Sequence, residues 1–367
     1  MRLFMIRCMI LILFLFFMFP TIGQSVEAIP ISAQNAVMLE QQTGRVMYDK
    51  NAHERKPIAS ITKVMTAILA IESGKLQDEV IASHEAIHTP GSSIYLQLNE
   101  KISLEDLLYG LMLRSGNDAA VAIAEHIGGS EEGFVYLMNE KAKYLGMTNT
   151  NFQNAHGLDE ERHYSSAYDI ALLMRYAMEN DIFREISSTQ SYQSKNRTYP
   201  WNNKNKLLTR YYEHCTGGKT GYTSNAGRTL VTTAEKDDLE LVTVTLNAPD
   251  DWNDHRALFD WGYDHYRLTK LENEGERKFQ LENEEVTGYI TEDVVFPLLD
   301  EEKKTLKKHV YLQKKPKDEK LGTIVYQLDS EPILEVPVYV KEDNNEHSFF
   351  KRLFQSVKRI IWLDSHG

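Results

Sequence analysis

Fifteen consecutive residues leave this chain little freedom in how it folds. From Ser60 the sequence runs Ser-Ile-Thr-Lys-Val-Met-Thr-Ala-Ile-Leu-Ala-Ile-Glu-Ser-Gly, apolar almost all round and ending at Gly74. A helix with no polar stripe has to be enclosed on every side, so this one predicts a core helix with other elements wrapped around it. Pro57 precedes its start and Gly74 supplies the C-terminal stop. The one charge near its start is Lys63, a turn after Ser60 on the same face.

The flanking sequence predicts what does the enclosing. Residues 36–40 and 45–48, separated by Gln42-Thr43-Gly44, read as a hairpin that opens a sheet. Amphipathic patterns bounded by Gly, Ser or Asn predict helices over 104–113, 118–127, 132–145 and 167–179. The β-branched runs 228–234 and 239–246, joined by Glu-Lys-Asp-Asp, predict a second hairpin. Helices lying between an opening and a closing pair of strands imply a sheet assembled from both ends of the domain, an α/β (α+β) architecture. Past Lys270 short strand candidates alternate with charged turns at 286–290, 294–297, 309–312, 323–328 and 333–340, which predicts a small, mostly β second domain.

The two ends are of another kind. Arg2 and Arg7 precede an uncharged run from Cys8 to Phe19, and a polar stretch follows that ends Val26-Glu27-Ala28. This is the layout of a secretory signal peptide cut after Ala28, and its apolar core is too short to span a bilayer. Its loss removes two arginines and one glutamate, which takes the net charge from −12 to −13. Cys215 then remains as the one cysteine, so no internal disulfide can form. It reads as a small residue near a strand start or as a thiol nucleophile. At the other end Phe349, Phe350, Leu353, Phe354, Val357, Ile360 and Ile361 share one helical face and Lys351, Arg352, Lys358 and Arg359 the other. A basic amphipathic helix after a polar linker predicts a peripheral anchor, 349–361, in the outer leaflet of the cytoplasmic membrane. The expected layout is a signal peptide at 1–28, a catalytic domain at 29–270, a β-rich domain at 275–341, and a linker with anchor helix at 342–367. The acidic balance argues against non-specific nucleic-acid binding.

Three short strings carry chemistry, in the order Ser60-Ile-Thr-Lys63, Ser115-Gly-Asn117 and Lys219-Thr-Gly221. Singly they are weak. S-x-x-K recurs at Ser348 to Lys351 and S-x-N at Ser194 to Asn196, whereas K-T-G occurs once. Together they are the signature shared by penicillin-binding proteins and class A β-lactamases. A serine hydroxyl needs a neighbouring base, and a lysine can be that base when burial or nearby positive charge lowers its pKa. Lys63 meets the first requirement, with Lys219 a source of the positive charge. Ser115 can relay a proton to a leaving amine, and Asn117 can orient a substrate carbonyl or Lys63. Lys219 and Thr220 can bind a substrate carboxylate, Gly221 lets the backbone come close, and the N–H groups of Ser60 and Tyr222 would form an oxyanion hole.

On these strings, together with Ile58-Ala59, residues 109–125, Asn151-Phe152, Asn154-Ala155-His156-Gly157-Leu158 and residues 218–227, the chain resembles a known family over 33–340. These are the low-molecular-mass serine-type D-alanyl-D-alanine carboxypeptidases, penicillin-binding proteins of peptidase family S11. The likeness is strongest to the enzymes of endospore-forming Gram-positive bacteria, which include a sporulation-specific one acting on spore cortex. It implies a β-lactamase-like catalytic domain, a β-rich second domain and an amphipathic anchor. The implied substrate is a peptidoglycan stem peptide ending in D-Ala-D-Ala, with β-lactam antibiotics as inhibitors, no metal and no cofactor. Ala155 stands where the family usually has proline.

His84-Glu85-Ala86-Ile87-His88 is a literal H-E-x-x-H zinc string, but Thr89-Pro90-Gly91 ends any helix at once, so a short surface turn is expected. A class A β-lactamase holds its deacylating water with an E-x-x-L-N glutamate, a string this chain lacks. A penicillin sensor that stays acylated would not need three intact motifs.

Overall fold

The computed structural model describes residues 29–282, 284–317 and 319–340. The signal peptide expected at 1–28 and the anchor helix expected at 349–361 both lie outside these. A five-stranded antiparallel sheet is built from β1 (Asn35–Glu40), β2 (Val46–Lys50), β3 (Cys215–Thr223), β4 (Gly227–Lys236) and β5 (Leu239–Leu246). The spatial order is β2-β1-β5-β4-β3, so the opening hairpin pairs through β1 with the last strand, from Asn35 opposite Leu246 to Glu40 opposite Leu241. β1 is buried along its whole length, as a central strand must be.

The core helix α1 spans Lys63–Glu72 and is preceded by a 3₁₀ turn, Ala59–Thr62. Eight of its ten residues are buried. Around it lie α2 (His84–His88), α3 (Leu104–Tyr109), α4 (Asn117–Gly128), α5 (Glu131–Tyr144), α6 (Ala167–Met178) and α7 (Asp181–Ser188). The single helix expected over 104–113 is in fact two pieces, α3 and a wider π turn at Gly110–Arg114 that delivers Ser115. Such π turns concentrate at functional sites. Ser83, Ser103, Ser130, Ser166 and Asn180 each cap the helix that follows by accepting a backbone N–H.

A helix without a clear sequence signal, α8 (Asp251–His265), covers the second face of the sheet. Alternation along the strands separates the two faces. Val37, Leu39, Val231, Val242 and Val244 belong to the main core with α1 and α6. On the reverse face Gly262 of α8 lies against Met38 and Leu241, and a Cβ there would fall 2.9 Å from each side chain. His255 ties α8 to this face through Thr232 Oγ1 at 2.6 Å and Thr245 Oγ1 at 3.0 Å. The result is three layers, helix on sheet on helix.

Burial holds His255 neutral, with its pKa pushed down to about 3. His156 is lowered to about 3 and His163 to about 4, again chiefly by burial. Unfolding frees all three to bind protons between these values and 6.5, so the unfolded state carries more protons there. Stability therefore falls as pH drops below 6.5, by roughly 1.4 kcal/mol per pH unit for each histidine. His255→Gln is expected to remove about one such increment from the slope between pH 4 and 6, measured by urea unfolding at stepped pH. An unchanged slope would contradict a neutral His255.

The β-rich part adds β6 (Arg267–Glu272), β7 (Gly275–Leu281), β8 (Glu284–Ile290), β9 (Val294–Leu298), β10 (Lys307–Lys317), β11 (Lys320–Leu328) and β12 (Glu331–Val340), with a short helix α9 (Asp300–Thr305). Five strands form an antiparallel sheet in the order β7-β8-β12-β11-β10, while β6 pairs with β9. Strand β6 thus begins at Arg267 and straddles the boundary expected at 270–275; its charged, unpatterned sequence gave no strand signal. Arg45, in the turn after β1, pairs with Glu302, reaches the carbonyl of Pro297, and lies over the rings of Tyr266 and Phe296. A cation held by two aromatic faces and a carboxylate fastens the two parts together within one compact unit.

Candidate active site

Ser60 sits in the middle of the 3₁₀ turn that feeds α1, directly after Ala59, which has φ +50. A left-handed alanine costs about 1–3 kcal/mol and is retained only where the surroundings impose it. Here Gly157 crosses over the turn so closely that a Cβ on it would lie 2.0 Å from the Ala59 carbonyl oxygen. No side-chain hydrogen bond caps this turn. The Ser60 Oγ faces Lys63 Nζ at 3.1 Å.

Lys63 is completely buried. Its Nζ also donates to Asn117 Oδ1 at 2.7 Å and to the His156 carbonyl. Burial first, then the charges of Lys219 and Lys204, hold its pKa well below the ordinary lysine value. A neutral amine has two N–H groups and one lone pair. With Asn117 Oδ1 and the His156 carbonyl taking the two N–H groups, the lone pair is left facing the Ser60 hydroxyl. This geometry can accept the serine proton.

Asn117 is itself fixed, because its Nδ2 donates to the Pro90 carbonyl at 2.6 Å. Of the two roles open to it, orienting Lys63 is the contact formed here. Ser115 ends the π turn at φ +64, a second left-handed residue beside Ser60. Lys219, also fully buried, donates to Ser115 Oγ at 3.0 Å and to the Thr220 carbonyl at 2.7 Å. Its pKa is lowered to about 7 by burial and then by Lys204. A bound carboxylate would oppose that shift and favour the charged form. At Gly221, β3 passes so near the nucleophile that a Cβ would fall 2.9 Å from Ser60 N and 2.4 Å from Thr229 Oγ1. Tyr222 follows with its ring exposed. Ser60, Ser115, Thr220, Gly221 and Tyr222 line one cleft of about 350 Å³, and Lys63, Asn117 and Lys219 lie directly behind them.

Sequence reasoning missed several supports. Lys204, from the loop before 207, reaches Ser92 Oγ at 3.1 Å and adds positive charge at the cleft. Asp118 collects the Ser93 hydroxyl and the N–H groups of Ile94 and Leu96, which fixes the loop whose Ser92 carbonyl accepts the Asn117 N–H. The Asn154 to Leu158 string supplies a carbonyl to Lys63. There Ala155 donates its N–H to Glu131 Oε1 at 3.2 Å, a bond that proline could not make. The Ser-Gly-Asn-Asp cluster and the Asn-Ala-His-Gly string were visible as motifs, but Lys204 had no local signal at all.

Other candidates sit elsewhere. The H-E-x-x-H string forms a five-residue helix that ends at Thr89, and no group of three metal-ligating side chains occurs among the described residues. Ser194 and Asn196 belong to a local turn in which Asn196 N donates to Ser194 Oγ at 3.3 Å. Cys215 begins β3 in the core, and burial pushes its thiol up to about 12, so the nucleophile reading of this residue is set aside. Ser348 lies outside the described residues.

Residues 22–250 match the family model described as D-alanyl-D-alanine carboxypeptidase, Peptidase S11. The chain belongs to this family. Residues 269–346 match the model of the C-terminal domain of penicillin-binding protein 5. Among curated relatives of this S11 chain, D-alanyl-D-alanine carboxypeptidase DacF of Bacillus subtilis is 34% identical, covering 91% of this chain and 92% of that one. DacC of Escherichia coli is 32% identical, covering 96% and 95%. Among solved structures, penicillin-binding protein 5 of Haemophilus influenzae superposes with a TM-score of 0.74 at 29% identity, covering 86% of this chain and 98% of that one. The activity is that of a serine-type D-Ala-D-Ala carboxypeptidase, and the S11 enzymes act on peptidoglycan stem peptides outside the cytoplasm and bind β-lactams. The β-lactamase and sensor readings find no support in these likenesses. No helix of the described residues is long and apolar enough to cross a membrane.

Proposed function

We propose that Ser60 Oγ attacks the carbonyl carbon of the penultimate D-Ala of a stem pentapeptide while Lys63 Nζ takes the hydroxyl proton. The tetrahedral oxyanion is held by the N–H groups of Ser60 and Tyr222. Ser115, hydrogen-bonded to Lys219, relays a proton to the amine of the terminal D-Ala as the peptide C–N bond breaks. Water then attacks the acyl-enzyme ester and regenerates the serine. Lys219 and Thr220 bind the terminal carboxylate, and Gly221 keeps β3 close enough for this. The observation that carries the reading is the Lys63 amine, buried with two acceptors on its N–H groups and the Ser60 hydroxyl opposite the third position. D-Ala release from a stem pentapeptide, measured beside conversion of a penicillin, is the test. Sustained release with slow penicillin turnover is expected; rapid turnover of penicillin without D-Ala release would contradict it.

The proposal extends to the ends of the chain. Residues 1–28 direct export, 29–270 form the catalytic domain, 275–341 the second domain, and 349–361 lie in the outer leaflet of the cytoplasmic membrane. Equal membrane recovery of the full chain and of a chain ending at 341 would refute the anchor. The resemblance to enzymes of endospore-formers supports a finer reading in which spore cortex is a substrate. Unchanged pentapeptide content in cortex from cells lacking the enzyme would refute that reading.

A further inference from the structure

A second pocket, of about 490 Å³, opens beside the catalytic cleft and shares Lys204 and Lys206 with its wall. Arg114 and Arg210 complete a group of four cations, and the rest of the lining consists of neutral amides and hydroxyls. No acidic side chain lines it, and none of the four cations enters an ion pair among the described residues. This runs against a chain in which 53 Asp+Glu outnumber 41 Lys+Arg. The group is held by backbone contacts. Arg114 ends the π turn that delivers Ser115, and its Nη1 donates to the Asn202 carbonyl at 3.2 Å. The N–H of Lys204 donates to the Leu113 carbonyl at 3.1 Å, which ties its loop to the same turn. Buried Asn205 accepts the Leu207 N–H through Oδ1 at 3.1 Å, and its carbonyl accepts the Thr209 hydroxyl at 3.1 Å. These bonds fix a further π turn, Leu207–Tyr211, with Lys206 just before it and Arg210 within it.

Like charges gathered on one wall without a counter-charge repel one another, and an anion bound among them relieves that repulsion. Two guanidinium forks and two ammonium groups suit a tetrahedral oxyanion, whose several oxygens can accept from more than one of them. A single carboxylate would leave most of the positive charge unmet. Lys204 also connects this pocket to the reaction, because it belongs to both cavities. Burial first, and then cationic neighbours that include Lys204, hold Lys63 and Lys219 below the ordinary lysine value. An anion beside Lys204 would cancel part of that influence, leave more of Lys63 protonated, and so hinder its acceptance of the Ser60 proton.

We propose that the pocket formed by Arg114, Lys204, Lys206 and Arg210 binds phosphate-type oxyanions, and that its occupation slows D-Ala release. The slowing rests on the carboxypeptidase reading, whereas the binding does not. Inorganic phosphate and poly(glycerol phosphate), at equal phosphate content and at constant ionic strength made up with chloride, are titrated into the purified enzyme by calorimetry. D-Ala release from a stem pentapeptide is followed over the same range. Saturable binding is expected, with kcat/KM for the pentapeptide lowered about fivefold or more at saturation. Binding of phosphate alone would assign the site to the free ion, and tighter binding of the polymer would assign it to a phosphodiester chain. Arg114→Gln combined with Arg210→Gln, at two positions that line this pocket and not the cleft, should weaken binding about tenfold or more and remove the slowing. Each slowing is referred to the same protein without anion, and penicillin acylation reports that the variant is folded. Failure of both probes to bind, or binding that the double variant retains in full, would overturn the site. Binding that leaves D-Ala release unchanged would overturn its effect on the reaction. Absence of D-Ala release even without anion would overturn the carboxypeptidase reading and leave the binding result standing.

Discussion

Ser60→Ala is expected to lower D-Ala release on the order of 10⁴-fold or more, and to abolish covalent labelling by penicillin. The effect should be catalytic and not structural. The hydroxyl caps no helix here, and its contact in the site is Lys63 Nζ at 3.1 Å. Substrate should still bind, because the groups assigned to its carboxylate lie on β3 and are untouched by the change. A variant retaining a tenth of the wild-type rate would show that the reacting nucleophile is another group.

Lys63→Met is expected to reduce acylation by about 10²–10⁴-fold, the range for a lost general base. The same substitution should leave the fold intact and raise its stability. Burying an amine in a site with two other cations nearby costs free energy, and methionine fills a similar volume without that cost. The lowered pKa of Lys63 sets the direction of this effect. A lysine that is neutral when folded and charged when unfolded favours the unfolded state at every pH below its ordinary value, so wild type loses stability there and the variant does not. Acylation by penicillin and urea unfolding at neutral pH check both halves. Unchanged acylation would remove Lys63 as the base, and a large drop in stability would show that its role is structural.

Legibility in the sequence followed physical origin. The buried helix, three of its amphipathic neighbours and the two hairpins were readable because periodicity and Gly stops are local signals, and a sheet closed from both ends of the domain followed from the places of the hairpins in the chain. Helix α8 was not readable. It is rich in aromatic and charged residues, and its buried side is defined by the sheet it covers, through His255 and Gly262. The helix expected at 104–113 ends at Tyr109 and passes into a π turn at Gly110, a change of pitch that no local pattern marks. The three motifs named the residues around Ser60. They could not reveal that Ala59 and Ser115 are held left-handed, or that Lys204 reaches the cleft from a loop some 140 positions later than Lys63.

The central claim is an acyl-enzyme on Ser60 formed with the help of Lys63. Its most direct test is mass spectrometry of the intact enzyme after exposure to penicillin, followed by proteolysis to locate the added mass. A single adduct on the peptide containing Ser60, absent from Ser60→Ala and strongly slowed in Lys63→Met, is the predicted result. An adduct on any other peptide, or one that persists in Ser60→Ala, would contradict the account.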